Sequence, residues 1–314
     1  IIPVYNAEDF IEAAINSCIN QTWKNIEIIA VDDGSTDNSF SILKDISDKF
    51  DNIRVLQQSN KGACAARNFG IREANGDYLQ FLDSDDILIS DKLERQLKLS
   101  KDEKVITFCN TINFKGKDIN NIISKTTKPQ TLRLLELISQ HYIFTPTVLL
   151  KKDTFFKNGF YDEKLKRAQE HEFHVRLSSR GYVFKNLNFE GVMVRHHNSK
   201  DRISNKDISG SEDNDIYLLE LFEQHINSFK SGSKQIILKL YTELFNLAIY
   251  KAQQHGNKRN FIGVKLIEQY MKQTKHYEEY NFVYKKSAVY NLLLRRLGLN
   301  KFEQLRSVIS MFKT

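Results

Sequence analysis

The chain has 314 residues, 41% hydrophobic and 27% charged, which is enough apolar material for a sizeable core and enough charge for a solvated surface. Its net charge of +7 is modest for this length; it suits an anionic ligand or an acidic membrane surface and argues for no nucleic-acid partner. Three cysteines without metal-ligand spacing suit a reducing cytosol, no signal-peptide pattern is visible, and no apolar run reaches the length of about 18 residues that a spanning helix needs.

Ile1-Ile2-Pro3-Val4 reads as the end of a strand whose beginning lies outside the sequence. Ile11, Ala14, Ile15, Cys18 and Ile19 recur at helical spacing and predict a helix over 7–21, with Asn6 as its N-cap. A strand-like run, Ile26–Val31, precedes a helical pattern over 37–50 that carries Phe40, Leu43, Ile46 and Phe50. Strand Ile53–Gln57, an alanine-rich helix over 62–74 and strand Tyr78–Leu82 follow. This alternation predicts an α/β fold: a mostly parallel sheet with helices on both faces. Ligands of such sheets bind beyond the carboxyl ends of the strands. The polar segments Tyr5-Asn6, Asp32-Asp33-Gly34-Ser35 and Asp83–Asp86 all follow predicted strands, so they are expected on one rim.

Residues 110–130 are rich in Asn, Lys and Thr and read as a loop or flap. Apolar periodicity returns at Leu132–Ile138, a helix is expected over 170–180, and strands over Tyr182–Leu187 and Val192–Arg195. The polar stretch Asn198–Asp215 marks a boundary, giving a domain over 1–208 and a helical region over 209–314. Helices are expected there over 216–230, 234–254, 258–274 and 301–312.

The chemistry concentrates in Phe81-Leu-Asp-Ser-Asp-Asp86. Acids at i and i+2 on a strand end can turn to one point, and clustered negative charge needs a cation or solvent. Hard oxygen ligands suit Mg²⁺ or Mn²⁺ shared with a substrate diphosphate. Taken alone, the pattern is also compatible with a solvated acidic turn that caps the next helix. Tyr5 can offer a face to a nucleotide base, and Asp33 can accept a hydrogen bond from a uracil-type N–H. Packing and a turn before Gly34 are the bland readings of the same two residues. Arg67 sits among Ala63, Ala65 and Ala66, whose small side chains allow a guanidinium to approach a diphosphate or base closely.

Together these segments resemble glycosyltransferase family 2, inverting enzymes of the GT-A fold. The matching residues are Ile2-Pro3-Val4-Tyr5-Asn6, Val31-Asp32-Asp33-Gly34-Ser35-Thr36-Asp37, Lys61-Gly62-Ala63 with Ala66-Arg67-Asn68-Phe69-Gly70, and Gly76-Asp77-Tyr78 leading to Asp83-Ser84-Asp85-Asp86. Gly159-Phe160-Tyr161-Asp162-Glu163, Gln169-Glu170-His171-Glu172-Phe173 and Arg195-His196-His197-Asn198-Ser199 complete the series, which covers about residues 1–205. The resemblance implies a nucleotide-sugar donor held by Pro3, Tyr5, Asp33, Arg67 and Asp83; Asp33 suits the uracil of a UDP-sugar, and a thymidine donor presents the same edge. It implies that Asp85 holds Mn²⁺ or Mg²⁺ and that His197 lies near that metal, as a further ligand, or near the diphosphate; the residues themselves suit Asp86 to cap the following helix and His196 to pack or face solvent.

Inversion requires direct attack by an acceptor hydroxyl and a carboxylate base within reach. The family commonly has Glu-Asp and a further acid two residues on. Here Gln169-Glu170-His171-Glu172, aligned through Arg176-Leu177, gives Glu170 the base position, with Glu172 as the alternative. The acceptor implied is a glycan or lipid-linked hydroxyl, as in cell-surface polysaccharide synthesis, with a cytoplasmic enzyme at or near the membrane. A non-catalytic nucleotide-sugar-binding module is the competing reading. A sugar nucleotidyltransferase would need a glycine-rich loop that residues 1–15 lack, and a processive synthase would need spanning helices and a Gln-x-x-Arg-Trp motif. The C-terminal helices fit either peripheral membrane contact, through the basic amphipathic edge of Ser287–Leu299, or a helical subdomain or homodimer interface.

Overall fold

A computed structural model describes residues 1–99, 102–139, 142–197, 212–229, 234–257, 269–271, 273 and 274. The chain divides into two compact units, Ile1–Phe229 and Lys230–Thr314. The expected basic edge of 287–299 and helix 301–312 lie outside the described residues, as does most of 258–274.

In the first unit, β1 (Ile2–Val4), α1 (Ile11–Ile19), β2 (Ile28–Asp32), α2 (Ser39–Ser47), β3 (Ile53–Gln57) and α3 (Ala63–Glu73) alternate as the sequence pattern predicts. The strands form a parallel layer in the order β1-β2-β3, with Val4 opposite Asp32 and Asp32 opposite Gln57. All five residues of β2 are buried, as expected of a central strand covered on both faces. Helix α1 is shorter than the 7–21 expected, and Asn6 does not cap it. Asn6 takes a left-handed φ of 48° instead, and its side-chain oxygen accepts the Thr36 N–H at 2.9 Å, tying two rim loops together.

The chain continues through β4 (Tyr78–Gln80), β5 (Ile87–Leu88), α4 (Lys92–Leu99), β6 (Val105–Lys115), β7 (Ile122–Thr126), β8 (Thr131–Leu132), α5 (Leu134–Ile138), β9 (Val148–Lys151) and α6 (Lys152–Asn158). Helix α7 (Gln169–Ser179), β10 (Val183–His196) and α8 (Glu212–Ser228) complete the unit. The second sheet is mixed. Its order is β4-β9-β6-β10-β5, with β7 beside β6 and β8 beside β10. Only β6 and β10 run parallel within it. Two bonds join the sheets at β1 and β4: Ile1 N–H to Gln80 O (2.8 Å) and Leu82 N–H to Ile1 O (3.1 Å).

Residues 110–130, expected as a loop, form most of a β-hairpin, β6–β7. Its polar residues pair with one another: Asn113 Nδ2 donates to Ser124 Oγ at 3.2 Å and Thr126 Oγ1 at 3.0 Å. One core spans both sheets, with Ile2, Val4, Ile11, Ile28, Leu43 and Ile53 meeting Leu82, Leu88, Val192 and Val194. In the second unit, α9 (Lys234–Asn257) buries Leu240, Tyr241, Leu244, Phe245, Leu247 and Ala248 along one face, the spacing of an amphipathic helix.

Candidate active site

The rim is built where strands end. Asp33 N–H donates to Val4 O at 2.8 Å, and Asn6 N–H to Ser35 Oγ at 3.1 Å, so the loops after β1 and β2 are one surface. Pro3 is buried within β1 opposite Val31 and shapes this rim through the backbone, while Tyr5 stands half-buried just beyond the strand. The Asp33 carboxylate is buried and accepts from Gln58 Nε2, Lys61 N–H and Gly62 N–H, each at 2.8 Å. It therefore clamps the loop that opens α3, using three of roughly four acceptor positions and leaving one.

Gly62, at φ 91°, turns the chain into α3. The small residues Ala65 and Ala66 let that helix lie on the parallel layer, and Arg67, 7% exposed, emerges toward the end of β4. Its Nη2 donates to Asp83 Oδ1 at 2.6 Å. Burial works against the guanidinium's charge, but Asp83 and Glu170 outweigh it and hold the group ionised. Arg67 Nε is buried without a partner, so part of its donor fork is unused.

Glu170 opens α7 and is half-buried. Burial raises its carboxyl above the usual glutamate range, with Arg67 and its own amide opposing the rise and Asp83 adding to it. Among the described residues no salt bridge engages Glu170. Glu172 differs: it is 2% exposed, its carboxylate accepts Arg176 Nε at 3.0 Å and Arg176 Nη2 at 2.9 Å, and it lies 2.8 Å from His225 Nε2. Glu172 is thus committed to a buried network.

On the other side of the rim, Asp85 Oδ2 lies 2.9 Å from His197 Nε2, and the His197 ring packs on Phe10 with centroids 4.5 Å apart. The residues the sequence assigns to metal are therefore adjacent, although 112 positions separate them. Among the described residues no group of three or more His, Cys, Asp or Glu converges as a complete metal site. Asp86 is not a helix cap. It is 4% exposed and accepts the Arg195 N–H at 2.9 Å, because β10 runs alongside it. His196 is exposed on β10, with Nε2 3.0 Å from Asn113 Oδ1.

Arg195, which has no role of its own in the sequence reading, proves central. Its Nε donates to Asp85 O at 2.7 Å and its Nη1 to Gly116 O at 2.6 Å, while Phe10 and Phe114 flank its guanidinium. It fixes the backbone that carries Asp85. Asn68, next to Arg67, is the other residue missed: it bonds Tyr161 and Glu163 and so ties α3 to the loop before α7. A basic residue and an asparagine in the quoted segments were the only signals for them.

The model of glycosyl transferase family 2 matches residues 1–161, and the chain belongs to that family. An uncharacterized glycosyltransferase of Haemophilus influenzae is 39% identical over 155 residues, covering 49% of this chain and 62% of the relative. Glycosyltransferase GlyG of Streptococcus pneumoniae is 30% identical over 249 residues, covering 72% and 78%. The poly(ribitol-phosphate) beta-glucosyltransferase of Bacillus spizizenii is 34% identical over 181 residues, covering 55% and 28%. The chain thus spans under two thirds of several relatives, among them an uncharacterized Rickettsia felis glycosyltransferase of which it covers 30%. The crystal structure of S. aureus TarS in complex with UDP-GlcNAc superposes with a TM-score of 0.72 at 19% identity, over 88% of this chain and 80% of that one. That likeness establishes the GT-A-type fold. The family model stops before Glu170.

Proposed function

We propose that this chain is an inverting glycosyltransferase that moves a sugar from a nucleotide sugar, a UDP-sugar, to a hydroxyl of a glycan or lipid-linked acceptor in cell-surface polysaccharide synthesis. The observation that carries the reading is the placement of Glu170, an acid that no salt bridge engages among the described residues, at the start of α7 in the field of the Arg67–Asp83 pair. The UDP and UDP-GlcNAc complexes of TarS, and the activity named for the B. spizizenii relative, support the donor and acceptor classes.

In this reading Asp33 and Tyr5 receive the base, and Arg67 with Asp83 orient the ribose and diphosphate. Glu170 takes the acceptor's proton as its oxygen bonds to the anomeric carbon and the bond from that carbon to the diphosphate oxygen breaks, which inverts the configuration. The Asp85 carboxylate suits Mn²⁺ or Mg²⁺, hard ions that complete their shells with water and substrate phosphates, and the neighbouring imidazole favours Mn²⁺ of the two. Asp85 and His197 would hold the ion. When bound, it supplies positive charge to the departing diphosphate.

The test is UDP release from a panel of UDP-sugars with Mn²⁺, alone and with candidate acceptors, for the wild type and Glu170→Gln. The substitution keeps the shape and removes the proton acceptor, so turnover should fall roughly 10²–10⁴-fold with UDP affinity unchanged. A wild-type protein that binds UDP tightly yet turns over no donor with any acceptor would instead be a non-catalytic binding module.

A further inference from the structure

Helix α8 lies beyond the segment that the family model matches, yet it is bonded to the loop that delivers Glu170. That loop, residues 162–168, ends at Ala168, whose left-handed φ of 60° is unusual for a residue with a side chain. Such a conformation is strained and persists where its surroundings over-determine it.

The surroundings here come from two sides. Toward the donor site, Asn68 Nδ2 donates to Tyr161 O at 2.9 Å and to Glu163 Oε1 at 2.8 Å. From α8, Asn214 Oδ1 accepts the Lys166 N–H at 2.7 Å and, at 3.4 Å, the Arg167 N–H. Tyr217 donates its hydroxyl to Asp162 Oδ2 at 2.7 Å. One turn into α7, His225 meets Glu172 and the Phe222 ring packs edge-on against His171, centroids 5.0 Å apart. Asn214 is 8% exposed and Phe222 fully buried, whereas the Tyr217–Asp162 bond is half-buried.

We propose that α8 is a positioning element of the catalytic domain: Asn214 and Tyr217 hold the 162–168 loop so that α7 starts where Glu170 faces Arg67 and Asp83. The proposal rests on the reading of Glu170 as the base. Asn214 and Tyr217 touch neither substrate nor reacting atoms. Their effect is transmitted through the loop, and misplacing a reacting group by about 1 Å can cost on the order of 10²-fold in rate.

The experiment uses the full chain and the best-turned-over member of the UDP-sugar panel. Tyr217→Phe keeps the ring and removes only the donor, Asn214→Ala removes the acceptor, and Asn214→Asp restores it. Expected is a fall in kcat of roughly 10- to 100-fold for Tyr217→Phe and Asn214→Ala, with the donor KM within about twofold and recovery in Asn214→Asp. Hydrogen exchange should show loss of protection confined to residues 162–172, with β2 and β3 as in the wild type. Should Asn214→Ala fail to fold, Tyr217→Phe decides alone. Unchanged kcat and exchange in Tyr217→Phe overturns the proposal. So does a loss of KM and protection throughout the unit, which would mark a merely structural role. Glu170→Gln with full turnover, or a wild type that turns over no donor, overturns the base reading instead, and the proposal with it.

Discussion

At the scale of single residues the site depends on how few charges are left uncommitted. Glu172 is held by Arg176 and contacted by His225, whereas Glu170 has no salt bridge among the described residues and only the field of Arg67 and its own amide to offset its burial. A base works deprotonated, and a raised pKa moves the loss of that form to higher pH. The acidic limb of the kcat–pH profile should therefore lie above the ordinary glutamate value of about 4.3. Arg67→Met removes the cation that lowers this pKa, so the limb should move further up; a profile unmoved in Arg67→Met would dissociate Glu170 from the limb. Asp85→Asn removes one charge from the proposed ion site while leaving the Arg195 bond to its carbonyl intact. Calorimetry should then show UDP affinity that no longer responds to Mn²⁺, with a melting temperature near that of the wild type. Unchanged Mn²⁺ dependence would take Asp85 out of the ion site.

At the scale of elements, Arg176 couples α7 to the turn after α6. Its guanidinium donates to Asn158 O at 2.9 Å and Phe160 O at 2.7 Å as well as to Glu172. Gly159 makes room, since a Cβ there would stand 2.7 Å from Arg176 Nη1. Arg176→Met leaves Glu172 buried without its cation and takes the donor from Phe160 O, while Asn158 O keeps Arg180 Nη1 at 2.9 Å. Urea denaturation should show a loss of about 3–5 kcal/mol, the range for breaking a buried pair from one side. Arg176 was legible only as an alignment anchor: its spacing to Glu172 is an ordinary i,i+4 pair, and its bonds to Asn158 and Phe160 cross to the turn after α6, which linear spacing does not encode. The first three strands and helices were legible, since apolar runs and helical spacing coincide with turn residues there. The β6–β7 hairpin was not. Asn110, Thr111 and Asn113 are buried in strand β6, and cross-strand amide and hydroxyl pairs take the place of apolar alternation. The acids of the rim were legible as strand endings, but the meetings of Asp85 with His197 and of Asp86 with β10 are products of sheet order, which the linear spacing does not encode.

At the scale of the whole molecule, the compact unit ends at Phe229, whereas the polar stretch in the sequence suggested a boundary at 208. The two positions predict different truncations. A chain ending at Phe229 should stay monodisperse and bind UDP with Mn²⁺. One ending at 208 lacks α8, so it exposes the faces of α7 that Phe222 and its neighbours cover, and it should aggregate or lose turnover. Size-exclusion chromatography with UDP titration separates the two outcomes. A well-behaved, fully active 1–208 fragment would make α8 dispensable. Among the described residues no helix is long and apolar enough to cross a membrane. Vesicle sedimentation and light scattering of the full chain test the proposed membrane contact and self-association.

The three cysteines give the fold its own reporters of breathing. Cys18 in α1, Cys64 in α3 and Cys109 in β6 are all free and buried. Burial pushes the Cys18 thiol up to about 11 and the Cys64 thiol up to about 12, and raises Cys109 as well. A thiol so placed is almost wholly protonated at neutral pH and meets an aromatic disulfide reagent only when its element opens. Cys64 stands one helical turn before Arg67, on the helix whose entry loop Asp33 clamps. Saturating UDP should slow the labelling of Cys64 far more than that of Cys109, turning an inert thiol into a gauge of nucleotide occupancy.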